Sequence, residues 1–396
     1  MAKANSRTSA SDLTAVPSAA SARPFFGAID ILIVPAGGRF AFEGSIARDH
    51  AAAIWAWAVR DLAPDLFAQA AYDRIEDVAH DLQRRMRNTL SAAQSDATAM
   101  RRLKAQLVSD ECIADLGRVA EALKFLPLMD KAEAFGRVLN ATQDEMSMAA
   151  ALRAMPLGDA NVMAMVMHAA IGQITTPARV TATAVRLAGD SGEMALFRGG
   201  FGPLIEAILA HAQAQVTGQD FAAGTFADVD LMCRTIDRFH RLMRAVHAHL
   251  ALTRGSRWSI IVTDLTRTLS EILEPRLKDV VPDIAQSLRV PRDNADRADP
   301  DRLLAALNGL YLLSAVRTAK DSLALNVLCD QAWTQTGEVL ELQLGRNLDL
   351  YRDNPSNAGA LTRLDGGIRI AAVRFGQEHA DVLVRARDAV ARRARG

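Results

Sequence analysis

The run VDLMCRTIDRFHRLMRAVHAHL, residues 229–250, constrains the fold of this chain more than any other segment. Val229, Met232, Ile236, Phe239, Met243, Val246 and Leu250 recur at alternating steps of three and four. That spacing puts seven apolar side chains on one seam of a helix, at the a and d positions of a heptad. A seam of this kind must be covered by another helix, in this chain or in a second one. Cys233, His240 and His247 fall at e positions and His249 at g, beside the seam. Seven residues of helix rise about 10.5 Å, so three ligands at that spacing cannot close on one metal ion.

Helical spacing recurs through most of the chain. Ile75, Val78, Ala79, Leu82, Met86 and Leu90 form one stripe, and Ile113, Leu116, Val119, Leu123 and Leu126 another, stopped by Pro127. Ser45 is the expected cap of a helix reaching about Ala58, and Thr142 with Glu145 the capping box of a later one. Thr176-Pro177 reads as an N-cap followed by proline at the first helical position, and Pro203 opens another helix in the same way. Longer helices are expected from about Asp228 to Arg254, Ser256 to Leu288 (kinked at Pro275) and Asp301 to Leu350 (broken near Gly337). Half of the 396 residues are hydrophobic but only 5% are aromatic, which suits helices packed closely through small aliphatic side chains.

One segment departs from the helical period. In FFGAIDILIVPAGGRFAFEG, residues 25–44, a β-branched run meets Pro35-Ala36-Gly37-Gly38 and is followed by alternation, the pattern of a hairpin or an extended arm. The fold class expected is mainly α: a multi-helix bundle with long antiparallel coiled-coil-like helices and a short N-terminal β-hairpin or arm. The expected divisions are a disordered tail over 1–23, a helical bundle with the hairpin over 24–223, and a long-helix bundle over 224–396. Residues 216–228 form the boundary, and the Arg/Asp-rich 289–302 a solvated linker.

Forty-six basic residues balance 46 acidic ones, so no global field attracts nucleic acid or an anionic membrane. Three scattered cysteines, Cys112, Cys233 and Cys329, fit a reducing compartment. No apolar run reaches the roughly 20 residues needed to cross a bilayer, and the N-terminus has no secretory h-region. These features predict a cytoplasmic protein.

Few motifs suggest chemistry. Gly189-Asp190-Ser191-Gly192 resembles the tetrapeptide around the nucleophile of chymotrypsin-like serine proteases. Those proteases build their triad on two β-barrels and need a base and an orienting acid. Here Glu193 follows, and the segment sits between two predicted helices. Ser191 therefore reads as helix punctuation. His168, in the apolar run MVMHAA, reads as a packed histidine.

YDRIEDVAHD, residues 72–81, crowds Asp73, Glu76, Asp77, His80 and Asp81 on one helix. Asp77 and His80 stand at i, i+3, the spacing used in di-iron bundles, which need the pair twice. Glu206 and His211, at i+5, do not supply the second pair. The region reads as a solvated face. Arg385, Arg387, Arg392, Arg393 and Arg395, with Asp388, form a basic tail that complements a helix C-terminus. No residue is assigned a catalytic, cofactor-binding or metal role, and no cofactor is expected.

The function expected from the sequence is a non-enzymatic helical adaptor, regulator or scaffold, meeting another protein or itself through helices. The alternatives are a helical enzyme or small-molecule carrier with an interhelical pocket, and nucleic-acid binding through the C-terminal arginines.

Overall fold

The computed structural model describes residues 19–34, 38–67, 75–107, 109–217, 221, 228–290 and 298–394. The chain is mainly α. It divides into two compact units, one of residues 1–174 with 199–210 and the other of 175–198 with 211–396. Much of the predicted boundary over 216–228, and of the predicted linker over 289–302, lies outside the described residues.

The first unit contains α1 (Ala19–Ile29), β1 (Ile33–Val34), β2 (Ile46–Ala47), α2 (Arg48–Trp57), α3 (Pro64–Phe67), α4 (Glu76–Ser95), α5 (Ala97–Leu107), α6 (Asp110–Lys124), α7 (Leu126–Ala141), α8 (Glu145–Arg153) and α9 (Ala160–Gln173). α6 is central: α1, α2, α4 and α5 all pack on it. The stripe predicted from Ile75 is the buried face of this helix group, with Ile75, Ala79, Leu82 and Met86 solvent-free or nearly so. α7 lies against α9. Gly136 permits the approach, since a Cβ there would stand 2.3 Å from the Ala170 carbonyl oxygen.

Three local expectations change here. The hairpin over 25–44 is replaced by helix followed by a two-residue parallel pairing, Ile33 with Ile46 and Val34 with Ala47. The reason lies in Phe25, Ile29 and Leu32, which recur at helical spacing and are all buried. Residues 35–37 of the predicted turn are outside the described ones, as is most of the expected tail, but the backbone is already helical from Ala19. Ser45 does not cap α2; its hydroxyl donates to the Phe42 carbonyl at 2.8 Å. Thr142 ends α7 instead of opening α8, whose cap is Asp144, accepting from the Met146 and Ser147 N–H groups.

The second unit contains α10 (Pro177–Ala188), α11 (Glu193–Arg198), α13 (Val229–His249), α14 (Arg257–Leu288), α15 (Pro300–Thr318), α16 (Asn326–Asp353), α17 (Ala358–Phe375) and α18 (Gln377–Arg393). α12 (Gly202–Thr217) begins in the first unit and ends in the second. α14 packs on α15 and α16, α16 on α17, α17 on α18, and α13 on α10 and α15. Asp228, Ser256, Asp299 and Asn357 cap their helices through side-chain oxygens. The expected 301–350 helix is two helices. The break falls at 319–325, where a short 3-10 turn intervenes, and Gly337 lies inside α16.

Six of the seven seam residues, Met232, Ile236, Phe239, Met243, Val246 and Leu250, are in the core, and Val229, at the helix start, is half-buried. Thr235, Leu242 and Ala245 are buried beside them, so the stripe is wider than a strict a/d seam. α10 and α15 cover it within the same unit.

Candidate functional site

Few charged side chains are deeply buried in the first unit, and Asp115 is one of them. It lies on the apolar face of α6, between Cys112 and Leu116, with its side chain 5% exposed. A carboxylate taken out of water needs compensating donors. Asp115 has three. Oδ2 accepts from the Ala47 backbone N–H at 3.1 Å and lies 2.7 Å from His50 Nδ1. Oδ1 accepts from Arg118 Nη1 at 2.5 Å, one turn along the same helix. Ala47 precedes α2, so the carboxylate also sits at the positive end of that helix.

These contacts determine the imidazole. Asp115 accepts from Ala47 at Oδ2 and from Arg118 at Oδ1, which places His50 Nδ1 to donate to Oδ2. In neutral His50 the lone pair is then on Nε2. The side chain is 24% exposed. Its surroundings form a half-open cleft of about 430 Å³. Arg39, Asp49, Glu111 and Arg118 line it with His50 and Asp115, alongside the apolar Val34 and Ala114. The ionisable lining is mixed in sign, with two arginines facing three carboxylates.

No activated nucleophile accompanies the dyad among the described residues of the cleft. The Ser45 hydroxyl is buried and bonded on both sides to Phe42, donating to its carbonyl and accepting from its N–H. Cys112 Sγ lies 3.9 Å from the His50 carbonyl oxygen. Burial, with smaller contributions from Asp115 and Asp49, pushes its thiol up to about 11. A thiol in that state is not a nucleophile at neutral pH. The arrangement can orient a polar ligand and take or return a proton at Nε2.

A second cleft of about 690 Å³ opens between α1 and α7 and carries four carboxylates, Asp30, Glu76, Asp130 and Glu133. Asp30 lies 3.6 Å from Arg48 and Glu133 3.5 Å from Arg137.

The residues singled out in the sequence lie elsewhere. Gly189, at φ +76°, ends α10 in the left-handed conformation. Asp190 Oδ1 accepts from the Gly192 N–H, and the Ser191 carbonyl from the Ala251 N–H, so this segment is built as a turn between α10 and α11. Asp77 and His80 are exposed on α4, and Asp73 is outside the described residues. His168 is fully buried, and its Nε2 lies 3.0 Å from the Glu43 carbonyl oxygen. Burial lowers its pKa to about 4 against the weaker opposing pull of that bond and of Glu206. His240 Nδ1 pairs with the Ser322 hydroxyl at 2.9 Å. Cys233 and His247 stand beside the seam with burial as the main influence on each, raising the thiol and lowering the imidazole. In the basic tail, Arg387 is held by Asp365 and Asp388. Arg385, Arg392 and Arg393 are exposed, and Arg395 is outside the described residues. Among the described residues no group of three or more His, Cys, Asp or Glu side chains could hold a metal ion.

Sequence reading missed His50, Asp115 and Arg118. The available signal was a carboxylate on an apolar face: CIADLGRVA puts Asp115 beside Leu116 and three residues after Cys112. Nothing in the sequence pairs it with His50, 65 residues away.

The fold and cleft define a mainly α protein with a buried carboxylate–imidazole pair at the edge of an interhelical cleft. No protein-family model, curated protein or solved structure matches this chain. No described helix is long and apolar enough to cross a membrane.

Proposed function

We propose that this chain is a helical protein that binds a small polar molecule in the cleft between α2 and α6 and exchanges a proton with it through His50. The observation that carries the reading is Asp115, buried and bonded at once to Ala47, His50 and Arg118. A buried carboxylate that orients an imidazole fixes its tautomer and stabilises the imidazolium that forms when the ring takes a proton. Arg118 and Arg39 supply donors for an acidic group of the ligand, and Glu111 and Asp49 acceptors for a basic or hydroxylic one. Lacking an activated nucleophile in the cleft, the chemistry proposed is general acid–base catalysis on a bound molecule or its water. The three free cysteines, two of them buried, support a cytoplasmic setting for it.

A thermal-shift screen of small polar metabolites tests the reading. A true ligand raises the melting temperature of the wild type but not of His50→Gln, and still does so for His80→Gln, whose side chain is exposed on α4. A screen in which every stabilising compound acts equally on wild type and His50→Gln removes the cleft from consideration.

The adaptor reading has one specific support, although the heptad seam is used within the second unit. Met194 is 71% exposed, Phe197 43% and Ile260 53%. Phe197 rests against Trp258 at 5.4 Å, and Glu193 accepts from the Trp258 N–H, which holds α11 to the start of α14. An apolar protein surface is the partner such side chains fit. Met194→Asp should abolish any such complex, read by co-purification with the intact chain, without lowering the melting temperature.

A further inference from the structure

Two guanidinium groups of the second unit share one indole. Arg317, in the last turn of α15, places its Cζ 4.5 Å from the centre of the Trp333 ring. Arg374, in the last turn of α17, places its own at 4.3 Å. Two further contacts hold Arg374. Its Nε donates to the Trp333 carbonyl at 3.1 Å, and its Cζ stands 5.0 Å from the Phe375 ring. Gly337, one turn beyond Trp333 on α16, leaves the space in which the guanidinium lies, since a Cβ there would be 2.9 Å from Nη2. Three helices thus hold a fixed pair of like charges.

Several other arginines are paired with carboxylates: Arg85 with Asp65, Arg267 with Asp264 and Glu271, Arg387 with Asp365 and Asp388. Neither Arg317 nor Arg374 has an ion pair among the described residues. Burial and then the Arg317 charge lower the proton affinity of Arg374, and Glu341 offsets them only through its field. A guanidinium over an aromatic face still presents N–H groups, in Arg374 those of Nη1 and Nη2 since Nε is taken by the Trp333 carbonyl, and such groups match the oxygens of a phosphoryl group better than a single ammonium would. Asp330 and Glu341, on α16 on either side of Trp333 and Gly337, disfavour an extended polyanion there.

We propose that Arg317, Trp333 and Arg374 form a binding site for the phosphoryl group of a small phosphate ester. The site is separate from the His50 cleft, and its test does not depend on the function proposed for that cleft.

The probe is inorganic pyrophosphate, added to the intact chain while the Trp333 indole N–H signal is followed by NMR and assigned by its loss in Trp333→Phe. A saturable shift is expected, weakened about tenfold or more in Arg317→Gln. Gly337→Ala should weaken it similarly, because the new methyl group displaces Arg374 while leaving every charge in place. Circular dichroism of both variants should match the wild type, since Arg317 is exposed and alanine is a good helix former. No saturable shift at millimolar pyrophosphate, or an equal shift in Arg317→Gln, overturns the proposal. An equal response to sulfate reduces the site to a general anion contact and overturns the phosphoryl assignment. Tighter binding of a single-stranded oligonucleotide than of pyrophosphate overturns the small-ligand assignment.

Discussion

Asp115 joins stability to chemistry at the scale of one side chain. Its removal would strand the Ala47 N–H, the His50 Nδ1–H and one face of Arg118 together. Breaking a buried ion pair from one side costs about 3–5 kcal/mol, and the part-exposed His50 and Arg118 reduce that. Asp115→Ala should therefore destabilise the first unit by about 2–3 kcal/mol in urea unfolding, and His50→Gln by less than about 1 kcal/mol. Equal losses in the two variants would contradict the ordering. His168 makes a pH prediction. Its folded pKa of about 4 lies below the ordinary value of about 6.5. The unfolded chain thus binds the proton more readily, so the stabilisation is complete above about pH 6.5 and is lost as pH falls toward 4. The effect is at most about 3 kcal/mol. His168→Gln should flatten that part of the stability–pH curve, and an unchanged slope would show that the ring is not buried neutral. Sequence reading recovered His168 as a packed residue because its neighbours are all apolar. It missed the partner of Asp115 because a contact across 65 residues leaves no periodic trace.

Periodicity decided what could be read at the scale of elements. The seam from Val229 to Leu250 was visible because seven positions agree, and six of them, from Met232 to Leu250, are buried. Ile236 is fully buried at its middle, while His240 is half-buried beside it. Ile236→Asp should unfold the second unit at any protein concentration, since α10 and α15 of the same unit cover the seam. His240→Ala should lower stability by about 1 kcal/mol or less, the loss of one hydrogen bond to Ser322. A mutant Ile236→Asp that keeps its melting temperature would place the seam in solvent. Short signals were less reliable. Gly337 suggested a helix break, but α16 runs through it because the position holds an arginine instead of a turn. Thr142 and Asp144 compete for one cap, and Asp144 takes it with two N–H groups. The β-branched run over 31–34 promised a hairpin, but the helical spacing of Phe25, Ile29 and Leu32 prevailed.

At the scale of the whole molecule, the mainly α class was legible from alanine content, helical stripes and caps. The segment 199–210 belongs with the first compact unit, and contact with residues far back in the chain has no local signature. Glu206, in that segment, accepts from the Glu43 N–H at 3.4 Å. A fragment ending at residue 174 should therefore be less stable to urea than one ending at 210, and equal midpoints would detach the segment from the first unit.

The central claim, that Asp115 holds His50 with Nε2 free to exchange a proton in the cleft, is tested most directly on the intact chain by the imidazole nitrogen signals of its eight histidines. With the His50 signals assigned by their loss in His50→Gln, the account predicts that the neutral form of the ring carries its proton on Nδ1, and that this preference is lost in Asp115→Ala. A ring protonated at Nε2, or a tautomer indifferent to Asp115, would contradict it.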